Sequence, residues 1–153
     1  VSELIPARLA LARELGVHMA AHPLEEDLPA MIRAASQGRG ADLVIPTALS
    51  TEIMREVMAS VRGGGTVLLF VGEPSQVEMP LDMYGIWRHE VNLISSYSPD
   101  PASLAEAYDL IAHHGLRLSR TVSHHLPLSE TGRAIQMAMQ GQASKVIIRV
   151  ASG

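Results

Sequence analysis

At 153 residues the chain has the length of one domain, roughly 100–200 residues, and 47% apolar against 18% charged residues sets it apart from disordered tails and low-complexity linkers. A net charge of −4 with no basic stripe argues against nucleic acid as a partner, and no apolar run approaches the ~18–20 residues of a membrane span, so no membrane partner is expected. With no cysteine, disulfides, thiolate nucleophiles, iron–sulfur clusters and Cys-based zinc sites are all removed.

Apolar stretches alternate with helical patterns almost from end to end. Pro6 to Leu15 predicts a helix, with Leu9, Leu11, Ala12 and Leu15 apolar and Gly16 as its stop. A short extended piece, Val17 to Ala21, follows. Glu25 to Gln37 carries Leu28, Met31, Ile32 and Ala35 at helical spacing, with three acids in its first turn and Gly38 at its end. Asp42 to Thr47 is expected as a buried strand. Ser50 is expected to cap a helix running to Val61.

The run Gly63-Gly64-Gly65 predicts a tight helix-to-strand connection. Thr66 to Val71 then forms the most strand-like stretch, closed by Gly72. A looser segment including Pro80 to Trp87 precedes a strand from Val91 to Tyr97. Asp100 to His114 is expected as an amphipathic helix through Leu104, Tyr108 and Ile111. The last third changes rhythm: extended from Val122 to Leu128, helical from Ser129 to Gln140, and a closing strand from Lys145 to Val150. Strands separated by helical patterns of about 10–15 residues predict βαβ units. Their near-continuous apolar runs suit strands covered on both faces. The expected fold class is α/β, a mainly parallel sheet with helices on both faces, followed by a C-terminal strand-helix-strand segment.

Taken together, Arg8–Gly16 (RLALARELG), Gly38–Ile45 (GRGADLVI), Val61–Gly72 (VRGGGTVLLFVG), His89–Tyr97 (HEVNLISSY), Val122–Glu130 (VSHHLPLSE) and Lys145–Val150 (KVIIRV) resemble the second half of zinc-type medium-chain alcohol or polyol dehydrogenases. The sorbitol and threonine dehydrogenases are the nearest branch. The resemblance covers essentially the whole chain and implies a truncated Rossmann-like dinucleotide-binding part over residues 1–118. Residues 119–153 correspond to the segment that in the family returns to the catalytic domain. The family's zinc-holding N-terminal domain and its GxGxxG turn have no counterpart here; the chain opens on Val1, where the family is already in its second strand.

The resemblance implies NAD as cofactor and assigns it a set of residues. Glu3 aligns with the acid that accepts hydrogen bonds from the adenosine ribose and disfavours a 2′-phosphate; the alternative is a solvated acid near a chain end. Arg8 aligns with the arginine beside the adenine end, or is an exposed helix residue. Thr47 and Ala48 lie in the loop after the third family strand. Val71, Gly72 and Glu73 correspond to the turn at the nicotinamide amide, with Ser96 and Tyr97 at the tip of the next strand. Lys145 matches a basic position near the pyrophosphate, or is a solvent-facing lysine. Pro46 and Leu49 depart from the family pattern: the first removes a backbone donor, and the second places a bulky side chain where the family has glycine.

Seven histidines (His18, His22, His89, His113, His114, His124, His125) raise a metal hypothesis. Adjacent pairs point apart on a strand and diverge by ~100° on a helix, and no HExxH occurs. Structural or surface roles are expected, with no metal site and no catalytic residue in this chain. A missing central strand in the family order 3-2-1-4-5-6 would leave exposed edges that invite pairing with another chain, so a homo-oligomer is expected. No charged leader precedes an apolar segment, and the expected location is the cytoplasm.

Two functional readings follow. In the first, the chain is a portion of an NAD-dependent zinc-type alcohol or polyol dehydrogenase, an oxidoreductase on CH–OH groups, silent by itself. In the second, it is a non-catalytic α/β binding or assembly module derived from such an enzyme.

Overall fold

The computed structural model describes residues 1–71 and 78–150. In chain order the elements are α1 (Pro6–Glu14), α2 (Leu28–Ala35), β1 (Ala41–Val44), α3 (Thr51–Ser60), β2 (Val61–Leu69), α4 (Met83–Arg88), β3 (Asn92–Ser95), α5 (Pro101–His113), β4 (His124–Pro127), α6 (Thr131–Met139) and β5 (Val146–Arg149). They divide between two compact units, Val1–His22 with Asp100–Gly153 and Pro23–Pro99. The parallel α/β expectation and the closing strand-helix-strand both appear.

Helix starts are chemically explicit. Asp27, Ser50, Asp82 and Asp100 each accept a hydrogen bond from a backbone N–H three residues on, at Ala30, Ile53, Gly85 and Ser103. This satisfies one donor that the helix itself leaves without a partner. The cap at Asp27 corrects the expected helix from Glu25: α2 begins at Leu28, and Pro29, which fits the first turn, follows. The three acids therefore precede the helix. The looser segment that includes Pro80 to Trp87 holds α4, a six-residue helix ending at Arg88 and too short for helical periodicity to reveal.

In the Pro23–Pro99 unit, β1, β2 and β3 form a parallel sheet in that order. Val67, at 0% exposure, sits in the central strand between Val44 and Leu93. It anchors a core with Met54 and Val57 of α3 and with Val91. The glycine run does not connect helix to strand. Val61 already has extended geometry and follows α3 directly, and the glycines lie within β2. There the register jumps from Ala41↔Val61 to Leu43↔Thr66, a bulge at which Gly64 and Gly65 are constrained. Gly64 has φ +68 and donates to the His89 carbonyl at 2.9 Å. A Cβ on Gly65 would lie 2.7 Å from Val61 Cγ2 and 2.9 Å from the Arg62 carbonyl oxygen.

In the other unit Ser2 forms a parallel bridge with Ala21, consistent with the extended piece expected there. β4 and β5 pair in parallel, with α6 between them in the chain. α5 forms where expected but buries none of its residues: Leu104, Tyr108 and Ile111 are all exposed. Its apolar row has no cover among the described residues.

Candidate functional site

The three parallel strands of the Pro23–Pro99 unit end in step, because Val44 is opposite Val67 and Leu69 is opposite Ser95. Two further bonds extend the ladder past the strand ends: Phe70 N–H donates to the Pro46 carbonyl at 3.3 Å, and Ser96 N–H to the Leu69 carbonyl at 3.1 Å. This brings Thr47, Ala48, Val71, Ser96 and Tyr97 to one carboxyl-terminal sheet end, where open parallel sheets bind ligands. Thr47, Ala48, Ser96 and Tyr97 are exposed and Val71 is half-buried. Gly72 and Glu73 lie outside the described residues.

The two departures from the family pattern have local explanations. Pro46 gives up its N–H but uses its carbonyl in the ladder. Leu49, expected to intrude at the sheet end, packs instead against the core around Met54 and Val67, since burying an aliphatic side chain is favourable by about 1.5–3 kcal/mol.

Glu3, Arg8 and Lys145 belong to the other unit. Glu3 Oε1 accepts from Ile5 N–H at 2.9 Å, which orients the carboxylate at the entrance of α1. Arg8 Nη1 lies 3.9 Å from Glu3 Oε2, and Arg8 Nη2 donates to the Ala143 carbonyl at 3.2 Å. Arg8 Nε is buried and has no hydrogen-bond partner among the described residues. Such an atom is costly unless something accepts from it. Lys145 contributes its main chain to the fold: its carbonyl oxygen accepts from the backbone N–H groups of Ser123 and His124 and from Ser123 Oγ. Its side chain is exposed. That backbone role had no signal in the sequence.

The histidines make local bonds. His22 Nε2 pairs with the Leu4 carbonyl and His124 Nδ1 with Ser123 Oγ. His113 and His114, expected to diverge, both reach Asp109, at 2.9 and 3.3 Å, because His114 has left helical geometry at the end of α5. Among the described residues no three His, Asp or Glu side chains are placed to hold a metal ion. With no cysteine in the chain, these residues do not make a zinc shell.

Along α3, and reaching the starts of β2 and β3, lies a cavity of about 730 Å³ that the sequence did not reveal. Its walls bring together Arg33, Arg39, Arg55 and Arg62, which are too scattered in sequence to read as a basic motif. Arg62 Nε donates to Asp42 Oδ1, and this bond, with the positive charge behind it, holds the Asp42 carboxyl below the usual range.

Residues 1–113 match the family described as zinc-binding dehydrogenase. D-arabitol-phosphate dehydrogenase of Enterococcus avium is 27% identical over 92% of this chain and 40% of its own length. Sorbitol dehydrogenase of Bacillus subtilis is 35% identical over 58% of this chain and 28% of its own. The chain thus spans well under half of these relatives. Among solved structures, an alcohol dehydrogenase of Thermotoga maritima superposes with a TM-score of 0.89 at 23% identity, over 97% of this chain and 42% of the other. An alcohol dehydrogenase of Thermus sp. ATN1 gives 0.88 at 23% identity over 98% and 43%. The match over 1–113, about three quarters of the sequence, makes this chain a member of the zinc-binding dehydrogenase family.

Proposed function

We propose that the chain contributes NAD-contacting residues to a dehydrogenase acting on a CH–OH group of an alcohol or polyol, and that it is catalytically silent alone. The observation carrying this reading is the Glu3–Arg8 pair at the entrance of α1. It is an oriented carboxylate beside an arginine with a buried, unsatisfied Nε, in a chain matching the family over residues 1–113. Glu3 would accept from the adenosine ribose hydroxyls and repel a 2′-phosphate, selecting NAD over NADP. In the other unit, Val71, Ser96 and Tyr97 are assigned to the nicotinamide end, and Thr47 and Ala48 to the cofactor-facing loop beside it. Gly72, Glu73 and Lys145 complete the assignment. Bound NAD supplies the hydride acceptor. The described residues do not form a zinc shell.

Two features support self-association. β1 is an edge strand among the described residues, and α5 leaves its apolar row exposed; unpaired edges and uncovered apolar faces both favour pairing. A second copy is the partner we propose, and light scattering giving a strict monomer would remove it. The scaffold reading, with dinucleotide affinity lost, is favoured by Pro46, which has no backbone N–H to offer a cofactor.

Calorimetric titration with NADH and NADPH separates the two readings. The cofactor reading expects saturable NADH binding, weaker NADPH binding, and a smaller difference between them in Glu3→Gln. No heat from either nucleotide at millimolar concentration supports the scaffold. Turnover of polyols by the purified chain would overturn its proposed silence.

A further inference from the structure

The cavity runs along α3 from Thr51 to Ala59 and reaches Arg39, the start of β2 and Val91, and none of Thr47, Val71 and Ser96 lines it. Its floor is apolar, with Met54 and Val91 both buried. Its rim carries Arg33, Arg39, Arg55 and Arg62 against, among the described residues, one lining carboxylate, Asp82, which is already committed as the cap of α4. In a chain of net charge −4, this is a local reversal of sign.

Two of the arginines are engaged with the fold, and two are not. Arg33 Nη1 donates to the Ala59 carbonyl at 2.9 Å, covering the negative end of α3, which would otherwise repel an anion. Arg62 is tied to Asp42 and to the Gly63 carbonyl. Arg39 and Arg55 make no side-chain hydrogen bond or salt bridge among the described residues. The carboxylates that feel them, Asp42 and Glu52, are themselves hydrogen-bonded elsewhere. Guanidinium forks suit phosphate oxygens in paired geometry. A concavity of this volume falls in the range of small-ligand pockets, about 300–1,000 Å³, and is no extended track for a polymer.

We propose that this cavity is a binding site for a small molecule bearing two linked or neighbouring phosphate groups, with Arg39 and Arg55 as its principal ligands. The site is separate from the NAD reading and does not depend on it.

The test is calorimetric titration of the full chain with inorganic pyrophosphate at low and at physiological salt. The expected result is saturable binding that weakens with salt, falls about tenfold in each of Arg39→Gln and Arg55→Gln, and disappears in the double variant. The double variant should keep its unfolding transition, because neither side chain holds another element. Three results would overturn the proposal: no saturable heat with pyrophosphate, equal affinity in the double variant, or equally tight binding of a hexaglutamate peptide, which would mean diffuse attraction. NADH titrated into the double variant keeps the two sites apart. Unchanged NADH binding supports separate sites, and a parallel loss refutes them. If NADH fails to bind at all, the cofactor reading falls while the pyrophosphate result still stands.

Discussion

Arg8 donates through Nη2 to the carbonyl oxygen of Ala143, 3.2 Å away and 135 positions later in the chain. Ala143 is buried at 5% exposure, so the first helix and the segment leading into β5 are joined by a bond from a charged donor. Removing it leaves a carbonyl with one partner fewer in a poorly hydrated position. Arg8→Met should lower unfolding free energy by about 1–3 kcal/mol, read from urea denaturation followed by circular dichroism. Arg8→Lys should restore only part of this, because a lysine cannot span Glu3 and Ala143 with a planar fork.

Val67 has neighbours on both sides of the sheet and α3 packed over the same core. Val67→Ala removes two buried carbons where little can collapse into the gap. A loss of about 2–3 kcal/mol is expected, against less than about 0.5 kcal/mol for a surface change such as Gln136→Ala at an exposed position of α6. Paired thermal melts of the two variants test the contrast.

Gly38 and Gly40 both have positive φ, +84 and +100, but their surroundings differ. A Cβ on Gly38 meets nothing within 4 Å, whereas on Gly40 it lies 2.9 Å from the Ser60 carbonyl oxygen and 3.0 Å from Arg62 N. Gly38→Ala should cost about 1–2 kcal/mol, the conformational penalty alone. Gly40→Ala should cost clearly more, because both obstacles are backbone. Equal melting temperatures for the two would refute the close approach of β1 to the start of β2.

Asp100 caps α5, and its carboxyl is held below the ordinary value by hydrogen bonds from Ser103. A carboxylate with a depressed folded pKa stabilises the fold above its unfolded value, near 3.9. That contribution is lost as pH falls through the folded value. Asp100→Asn keeps a capping acceptor but has no titrating group. Acid denaturation from pH 7 to pH 2 should therefore fall less steeply in the variant below about pH 4. Identical acid limbs would show that the cap makes no pH-dependent contribution.

Legibility followed the range of the interaction. The cap at Ser50 and the helix stop at Gly16 depend on neighbours three or four residues away, and sequence spacing reported them, whereas Asp100, expected as the first residue of its helix, is the cap of α5. The run Gly63-Gly64-Gly65 could be read only as a need for backbone freedom. Whether that freedom served a turn or a bulge depended on Ala41 and His89, which the chain brings alongside from distant positions. The candidate cofactor residues divide in the same way. Thr47, Val71 and Ser96 were expected together because parallel strands end together. The bonds of Arg8 to Ala143 and of the Lys145 carbonyl to Ser123 have no local signature.

The residue order alone determined a mainly parallel α/β chain, because apolar runs of strand length alternate with capped amphipathic helices and leave few other ways to bury both. Only the tertiary structure decided that Leu49 joins the core, that the glycines kink β2, and that four dispersed arginines surround one cavity. Each of those outcomes depends on which distant surfaces meet, and side-chain packing and charge act across space without regard to separation along the chain.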